Sequence, residues 1–180
     1  MFAIWRRLDF PGHDACRLIR SAEQIQLSGC AVFAQPVATL LTYAVTCDPA
    51  WRTLRGVVSG WQGSREIHHE FVRHGDAEWM HDGRLVPSVS GCIDLDFGFT
   101  PATNLVQLER LQLGIGQAAD APAAWFDFEE DVLKVLPQRY ERRTEFTYWY
   151  EAPTVGYAAE LQIAPSGFVA RYPGIWEAGG

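Results

Sequence analysis

The sequence predicts an all-β, single-domain fold of antiparallel strands with little helix. Large and small residues alternate with a period of two in several places, as in 37–45 and 145–150, which is typical of strands with one buried face. The chain contains seven Trp, ten Phe and six Tyr, residues that favour pleated sheets. Turn signals separate the alternating runs at short spacing, as expected of an antiparallel fold. They are Pro11-Gly12, Asp48-Pro49, Gly75-Asp76, Asp82-Gly83 and Ser166-Gly167.

Individual elements follow from the same patterns. Alternation predicts a strand over 65–74 and a closing hairpin in which 157–163 turns through 165–167 into 168–172. Two segments, 103–111 and 128–136, fit either a short helix or an extended strand. No repeat, low-complexity tract or linker interrupts residues 1–180, so we expect one domain. At this length roughly 70% of the unfolded chain's surface is buried on folding, enough for a core without metal or disulfide.

The charge balance disfavours several classes of partner. Fifteen Lys and Arg against 22 Asp and Glu give a net charge of −7. Because binding to phosphates needs clustered cations, we expect no nucleic-acid partner, and an anionic membrane surface is disfavoured too. No stretch approaches the roughly 20 apolar residues of a membrane span, and the first ten residues do not form a signal-peptide pattern. We therefore expect a cytoplasmic protein, and the sequence leaves its oligomeric state open.

The cysteines carry no redox or zinc motif. Cys16, Cys30, Cys47 and Cys92 are widely spaced and form no CxxC pair. We expect free, buried thiols in a reducing compartment and no cofactor.

The most polar segment near a strand is GCIDLDFGFTPATNLVQLERL, residues 91–111. Asp94 and Asp96 occupy positions i and i+2 of a predicted strand, so they point to one face with Cα atoms roughly 6.5–7 Å apart. That spacing is compatible with the carboxyl pair of a glycosidase, although adjacent positions poorly flank a scissile bond. The alternative is architectural: one carboxylate caps the turn at 100–103 while the other pairs with an arginine such as Arg110 or Arg55.

The strand 65–74 offers a second candidate site. Its alternation places four potential ligands on one face, and His81 of a neighbouring strand could complete a metal shell. A solvated strand face whose carboxylates pair with arginines explains the same residues more simply, so we predict no metal there. The four are Glu66, His68, Glu70 and His74.

Aromatic residues suggest the walls of a pocket. Trp61, Trp79 and Trp149 lie beside polar neighbours in strands or turns, whereas most tryptophans should belong to the core. Their rings could stack on a sugar or line an acyl chain.

Beyond these patterns, the chain resembles the bacterial DUF1089 family, whose members are named putative glycolipid-binding proteins. The likeness extends over nearly the whole chain. It is carried by GCIDLDFGFTPATN with a following Arg and Leu, by the runs at 123–125, 138–140 and 148–150, and by Gly167-Phe168-Val169 with Tyr172-Pro173-Gly174. The resemblance implies a spiral β-roll fold and a glycolipid ligand.

The sequence also departs from the family pattern. The family commonly carries Leu-Pro-Ile-Arg-Arg-Leu where residues 106–111 read VQLERL, so Glu109 replaces a basic residue and the proline is lost. The familial proline implies that 105–114 is extended, and Glu109 implies weaker preference for an anionic head group.

Three functional hypotheses follow. The first is non-catalytic binding of a glycolipid or another amphipathic small molecule in a cavity or groove of the β-roll. The second is a hydrolase acting on a glycosyl or lipid substrate through Asp94 and Asp96, and the third is an interaction module without a ligand. We favour binding over catalysis. The predicted ligand-binding residues are Asp94, Asp96, Thr100, Thr103, Asn104, Arg110, Trp61, Trp79, Tyr140 and Trp149.

Overall fold

The computed structural model describes residues 1–75 and 78–179, so Asp76 of the predicted Gly75-Asp76 turn lies outside the described residues. Within those ranges the chain forms strands and a single α-helix, joined by turns and two short 3-10 segments. The elements are β1 Phe2–Arg7, β2 Gly12–Arg20, β3 Ile25–Ala34, β4 Ala38–Cys47, β5 Thr53–Gln62, β6 Arg65–His74, β7 Glu78–His81, β8 Arg84–Leu85, β9 Asp94–Phe97, α1 Asn104–Leu111, β10 Ala118–Asp120, β11 Ala123–Asp127, β12 Val132–Leu136, β13 Arg139–Arg142, β14 Thr147–Ala152, β15 Tyr157–Ile163, β16 Val169–Tyr172 and β17 Trp176–Ala178.

Fourteen of these strands form one antiparallel sheet. Its order is β10-β13-β14-β15-β16-β17-β1-β2-β3-β4-β5-β6-β7-β8. Strand β17 pairs with β1, which joins the closing hairpins to the long strands β2 to β6. The two end strands, β10 and β8, do not pair with each other in the described residues. The all-β prediction is therefore confirmed, but the roll is open rather than a closed barrel.

A smaller sheet of β12, β11 and β9 packs against the large one. Strands β9 and β11 are parallel, with Asp94 opposite Ala123 and Asp96 opposite Trp125. Phe97 and Phe126 from this sheet contact Phe71 of β6, with ring centroids 5.8 and 4.9 Å apart. Aromatic burial thus joins the two sheets and fixes the position of β9, which carries the predicted carboxylate pair.

The alternating segments form strands as predicted, while the prediction of an extended 105–114 is wrong. Strand β6 covers 65–74 and β15 covers 157–163, and 128–136 contains β12. By contrast, α1 runs from Asn104 to Leu111. In this chain Gln107 stands where the family commonly has proline, so a backbone N–H is available for the helix. Leu105 and Leu108 then point into the core at helical spacing.

Candidate functional site

The first predicted carboxylate, Asp94, forms a buried ion pair. Its side chain has no exposed surface, and it accepts hydrogen bonds of 2.8 Å from Nε and 2.6 Å from an Nη of Arg110. Burial raises the pKa of Asp94, and the contact with Arg110 counteracts part of that rise. Because Asp94 lies on β9 and Arg110 in the last turn of α1, the pair attaches the helix to the small sheet.

The second carboxylate, Asp96, organises a buried network of neutral side chains. Thr103 donates to its Oδ1 at 3.2 Å, and the Gln138 amide donates to its Oδ2 at 2.6 Å. Asn104 donates to the hydroxyl of Tyr140 at 2.8 Å, and Tyr140 donates in turn to Gln107. Burial raises the pKa of Asp96, against the effect of the Gln138 and Thr103 hydrogen bonds.

A third acid, Asp14, was missed by the sequence analysis. It is buried on β2 and accepts hydrogen bonds from the hydroxyls of Tyr43, at 2.9 Å, and Thr100. No cation pairs with it among the described residues. Burial therefore raises the pKa of Asp14 to about 7, although the Thr100 and Tyr43 hydrogen bonds lower it.

Gly29 makes this cluster possible. It lies on β3 between Cys16 of β2 and Tyr43 of β4, and a Cβ there would come within 2.4 Å of the Tyr43 ring. No local signal marks the cluster, since Thr100 is 86 residues from Asp14 in sequence.

Two aromatic cavities meet beside the predicted residues. The first, which we call the inner lobe, has a volume of about 200 Å³, and Asp96, Thr100 and Asn104 form its polar floor. Its walls are mainly apolar or aromatic: Phe97, Pro101, Trp125, Leu136, Tyr150, Val155, Tyr157, Tyr172, Ile175 and Trp176. The tyrosine rings pack on one another, with Tyr157 and Tyr172 centroids 5.0 Å apart.

The second cavity, the outer lobe, has a volume of about 240 Å³. Four phenylalanines line it, together with a polar rim that includes Arg7, Gln35, Gln62 and Glu129. The phenylalanines are Phe10, Phe33, Phe99 and Phe128. Gly98 and Trp125 line both lobes, so the two cavities are neighbours. We call them together the aromatic cleft.

Trp125 stands at the junction because Gly98 lacks a side chain. A Cβ at position 98 would lie 2.6 Å from Nε1 of Trp125. The Lys134 ammonium lies 5.0 Å from the centroid of the indole ring, where it can make a cation–π contact. Although Trp125 belongs to the motif at 123–125, the sequence analysis did not select it for a pocket wall.

The structure brings together only part of the predicted ligand-binding set. Asp96, Thr100 and Asn104 line the inner lobe, whereas Asp94, Thr103, Arg110 and Tyr140 lie behind it and bond to other protein groups. The three selected tryptophans lie outside the aromatic cleft. Trp79 is buried and donates to the Cys92 carbonyl, Trp61 is 39% exposed, and Trp149 donates to Glu151.

The face of β6 that was considered as a metal site is a surface with polar pairs. Glu70 accepts a 2.6 Å hydrogen bond from Arg55, and Oγ of Ser59 lies 2.9 Å from Nδ1 of His68. This matches the solvated strand face considered in the sequence analysis. Both carboxylates on β9 are similarly engaged, since each oxygen of Asp94 and Asp96 accepts a hydrogen bond. The aromatic cleft is therefore a better candidate for binding than the carboxylate pair is for catalysis.

Among the described residues, no helix is both long enough and apolar enough to cross a bilayer.

Known proteins resemble this chain in fold and family. A DUF1089 family protein from Pseudomonas aeruginosa, known from a crystal structure, superposes with a TM-score of 0.78. The two sequences are 24% identical, and the match covers 91% of each chain, so it establishes the fold. No curated protein matches the sequence. The model of the family described as "Putative glycolipid-binding" matches residues 2–178, and the chain belongs to that family.

Proposed function

We propose that the aromatic cleft binds an amphipathic small molecule of the glycolipid type without chemical turnover. The observation that carries the proposal is the meeting of two lobes of different character at Gly98 and Trp125. Each lobe is smaller than the roughly 300 Å³ at which small-molecule sites begin, so the proposed ligand would have to occupy both lobes. The family description supports the same class of ligand.

The inner lobe suits the apolar part of such a ligand. Its walls are mostly rings and aliphatic side chains, and the polar groups of its floor already have partners within the protein. Satisfied polar groups cost little when an apolar chain covers them. Burial also raises the pKa of Tyr150 and Tyr172 above the usual value for tyrosine, which keeps these walls uncharged.

The outer lobe suits the sugar. Phenylalanine rings offer flat surfaces for the C–H faces of a pyranose, while the amides of Gln35 and Gln62 at the rim can exchange hydrogen bonds with its hydroxyls. The rim carries both Arg7 and Glu129, so it does not select strongly for an anionic head group. Trp125 would contact the ligand where sugar and chain join.

A titration with octyl glucoside below its micellar concentration tests the proposal. We expect it to bind more tightly than either glucose or octanol alone, since each fragment fills only one lobe. Trp125→Ala should weaken binding about tenfold, the loss expected for a central aromatic contact. Trp61→Ala is the matched control, because it removes the same side chain from a partly exposed position outside the cleft.

Two results would overturn the proposal. One is a calorimetric titration in which octyl glucoside binds no better than its fragments. The other is an equal loss of affinity in Trp125→Ala and Trp61→Ala, which would move the site to the outer face of the sheet.

A further inference from the structure

Two histidines and an aspartate converge near the small sheet, on the side of β6 opposite to Glu66, His68, Glu70 and His74. They are His69 of β6, His81 at the end of β7, and Asp82 in the following turn. His69 lies on the inward face of its strand, opposite to His68. No motif spacing marks the group, because its members come from two strands and a turn.

The three ligand atoms form a small triangle. Nε2 of His81 lies 3.0 Å from Nδ1 of His69, and Oδ2 of Asp82 lies 3.1 Å from Nδ1 of His69. The third side, from Nε2 of His81 to Oδ2 of Asp82, is 3.4 Å. In a tetrahedral zinc site with bonds of about 2.1 Å, neighbouring ligand atoms are about 3.4 Å apart. The triangle would need to open by only a few tenths of an ångström to hold such an ion.

The arrangement of hydrogen-bond donors and acceptors around the triangle favours a cation at its centre. Nε2 of His69 lies 3.0 Å from Oδ1 of Asp131, close enough to donate its proton to that carboxylate. With the neutral ring in this tautomer, Nδ1 of His69 presents a lone pair to the carboxylate of Asp82, which is also an acceptor. A metal ion at the centre of the triangle would replace this contact between two acceptors with a bond to each of them.

Neighbouring side chains and a backbone N–H hold the proposed ligands from behind, as in known metal sites. Asp131 holds His69 through the ring nitrogen that faces away from the triangle, and Arg65 lies 3.4 Å from the other oxygen of Asp131. The second oxygen of Asp82 accepts the Glu70 backbone N–H at 2.7 Å. A carboxylate behind a ligating histidine fixes its tautomer and raises its basicity as a ligand.

Aromatic packing holds the two imidazoles in place. His81 stacks on Phe71 with ring centroids 4.6 Å apart, and His69 packs on Phe126 at 4.8 Å. Desolvation lowers the pKa of His81, which favours its neutral, ligating form at neutral pH. Asp82 remains 45% exposed, so a fourth ligand such as water can reach the ion.

We propose that His69, His81 and Asp82 form a zinc site with three protein ligands and one open position, supported by Asp131. The ion would hold together β6, β7 and the turn after β7, and the contact of His69 with Asp131 would connect the site to the turn before β12 of the small sheet. Imidazole and carboxylate ligands at these distances suit zinc better than calcium or magnesium, which prefer oxygen ligands. The proposal is independent of ligand binding in the aromatic cleft.

Zinc titration of the full chain, after dialysis against a chelator, tests the site by calorimetry. We expect one equivalent to bind. His81→Gln should weaken binding by at least 100-fold, and Asp131→Asn, which leaves all three ligands in place, by about 10- to 100-fold. His68→Gln is the matched control, because His68 lies on the same strand with its side chain on the opposite face. Asp82→Asn removes the charged ligand with little change of shape, and circular dichroism checks that each variant folds.

Cobalt replacement separates this site from the free cysteines. A tetrahedral site with nitrogen and oxygen ligands gives visible cobalt absorption without the intense thiolate charge-transfer band. The proposal is overturned if zinc binds equally well to His81→Gln and His68→Gln, if no stoichiometric binding occurs, or if bound cobalt shows the thiolate band.

Discussion

Arg110 donates two hydrogen bonds, of 2.8 and 2.6 Å, to a carboxylate of Asp94 that has no exposed surface. The two residues are 16 positions apart, and their contact links the last turn of the helix directly to the small sheet. A charge in such a position depends on its partner, since removal of the arginine would leave the carboxylate unpaired in the interior. The pair therefore has an architectural role, whatever the ligand of the protein.

Arg110→Ala should lower the free energy of unfolding by about 3–5 kcal/mol, the cost of an uncompensated buried charge. Urea denaturation measures the effect. Arg6→Ala is the control, because Arg6 forms a 3.3 Å ion pair with Glu177 on the surface and should contribute at most about 1 kcal/mol. Similar losses in the two variants would contradict a structural role for the Asp94–Arg110 pair. Asp94→Leu combined with Arg110→Met should recover much of the lost stability.

Asp14 should make stability depend on pH. Its pKa is about 7 in the folded protein against 3.8 for a free side chain, so between these values the folded state alone holds the proton. The contribution of the protonated Asp14 carboxyl to the free energy of unfolding is fully present below about pH 4. It falls by up to about 1.4 kcal/mol per pH unit as the pH rises, and it is lost above about pH 7. Urea denaturation from pH 5 to pH 8 should show this slope in the difference between the natural protein and Asp14→Asn. A flat difference for Asp14→Asn would contradict the prediction.

Tyr140→Phe should destabilise the network behind the inner lobe by about 1–3 kcal/mol. Without the hydroxyl, the buried amides of Asn104 and Gln107 lose a partner, which costs more than the hydrogen bond itself contributes. Thermal unfolding measures the change. Tyr157→Phe removes a hydroxyl that donates to the Pro173 carbonyl at a half-buried position, so its effect should be smaller. The reverse order of the two variants would contradict a stabilising role for the Tyr140 hydroxyl.

Gly98→Ala should reduce the affinity for octyl glucoside about tenfold, because the new methyl group displaces the Trp125 indole from the junction of the lobes. Calorimetry on the single variants and on Gly98→Ala with Trp125→Ala tests this mechanism. If Gly98 acts through Trp125, the double variant should bind no more weakly than Trp125→Ala alone. Additive losses would mean that position 98 affects the ligand by another route.

Local patterns allowed many strands to be predicted, because alternation reports which residues face a core. Strand β6 has the predicted bounds for this reason. Alternation does not say which face is buried, however. In β14 the tyrosines at 148 and 150 point inward, so Trp149 between them faces out. Helix α1 was ambiguous because its leucines fit both periods, and a familial proline that this chain lacks favoured the wrong choice.

The candidate sites were harder to predict because they join distant segments. For the polar stretch 91–111 we predicted ligand binding by Asp94, Asp96 and Arg110, with the pairing of one carboxylate to Arg110 or Arg55 as the structural alternative. In the structure it is Asp94 that pairs with Arg110. Asp14 meets Thr100 only through the packing of the two sheets, and His69 meets Asp131 for the same reason. Such contacts depend on the order and register of the strands in the sheets, and neither can be predicted from a short stretch of sequence.

The two ends of the large sheet also bear on how the protein behaves at high concentration. Strand β8 has two residues and β10 has three, so the terminal strands themselves offer only a few unpaired backbone groups. Long, flat edges recruit strands from other molecules and can start fibrils, whereas strands this short give a poor template. Pairing with another molecule through either terminal strand should therefore be weak.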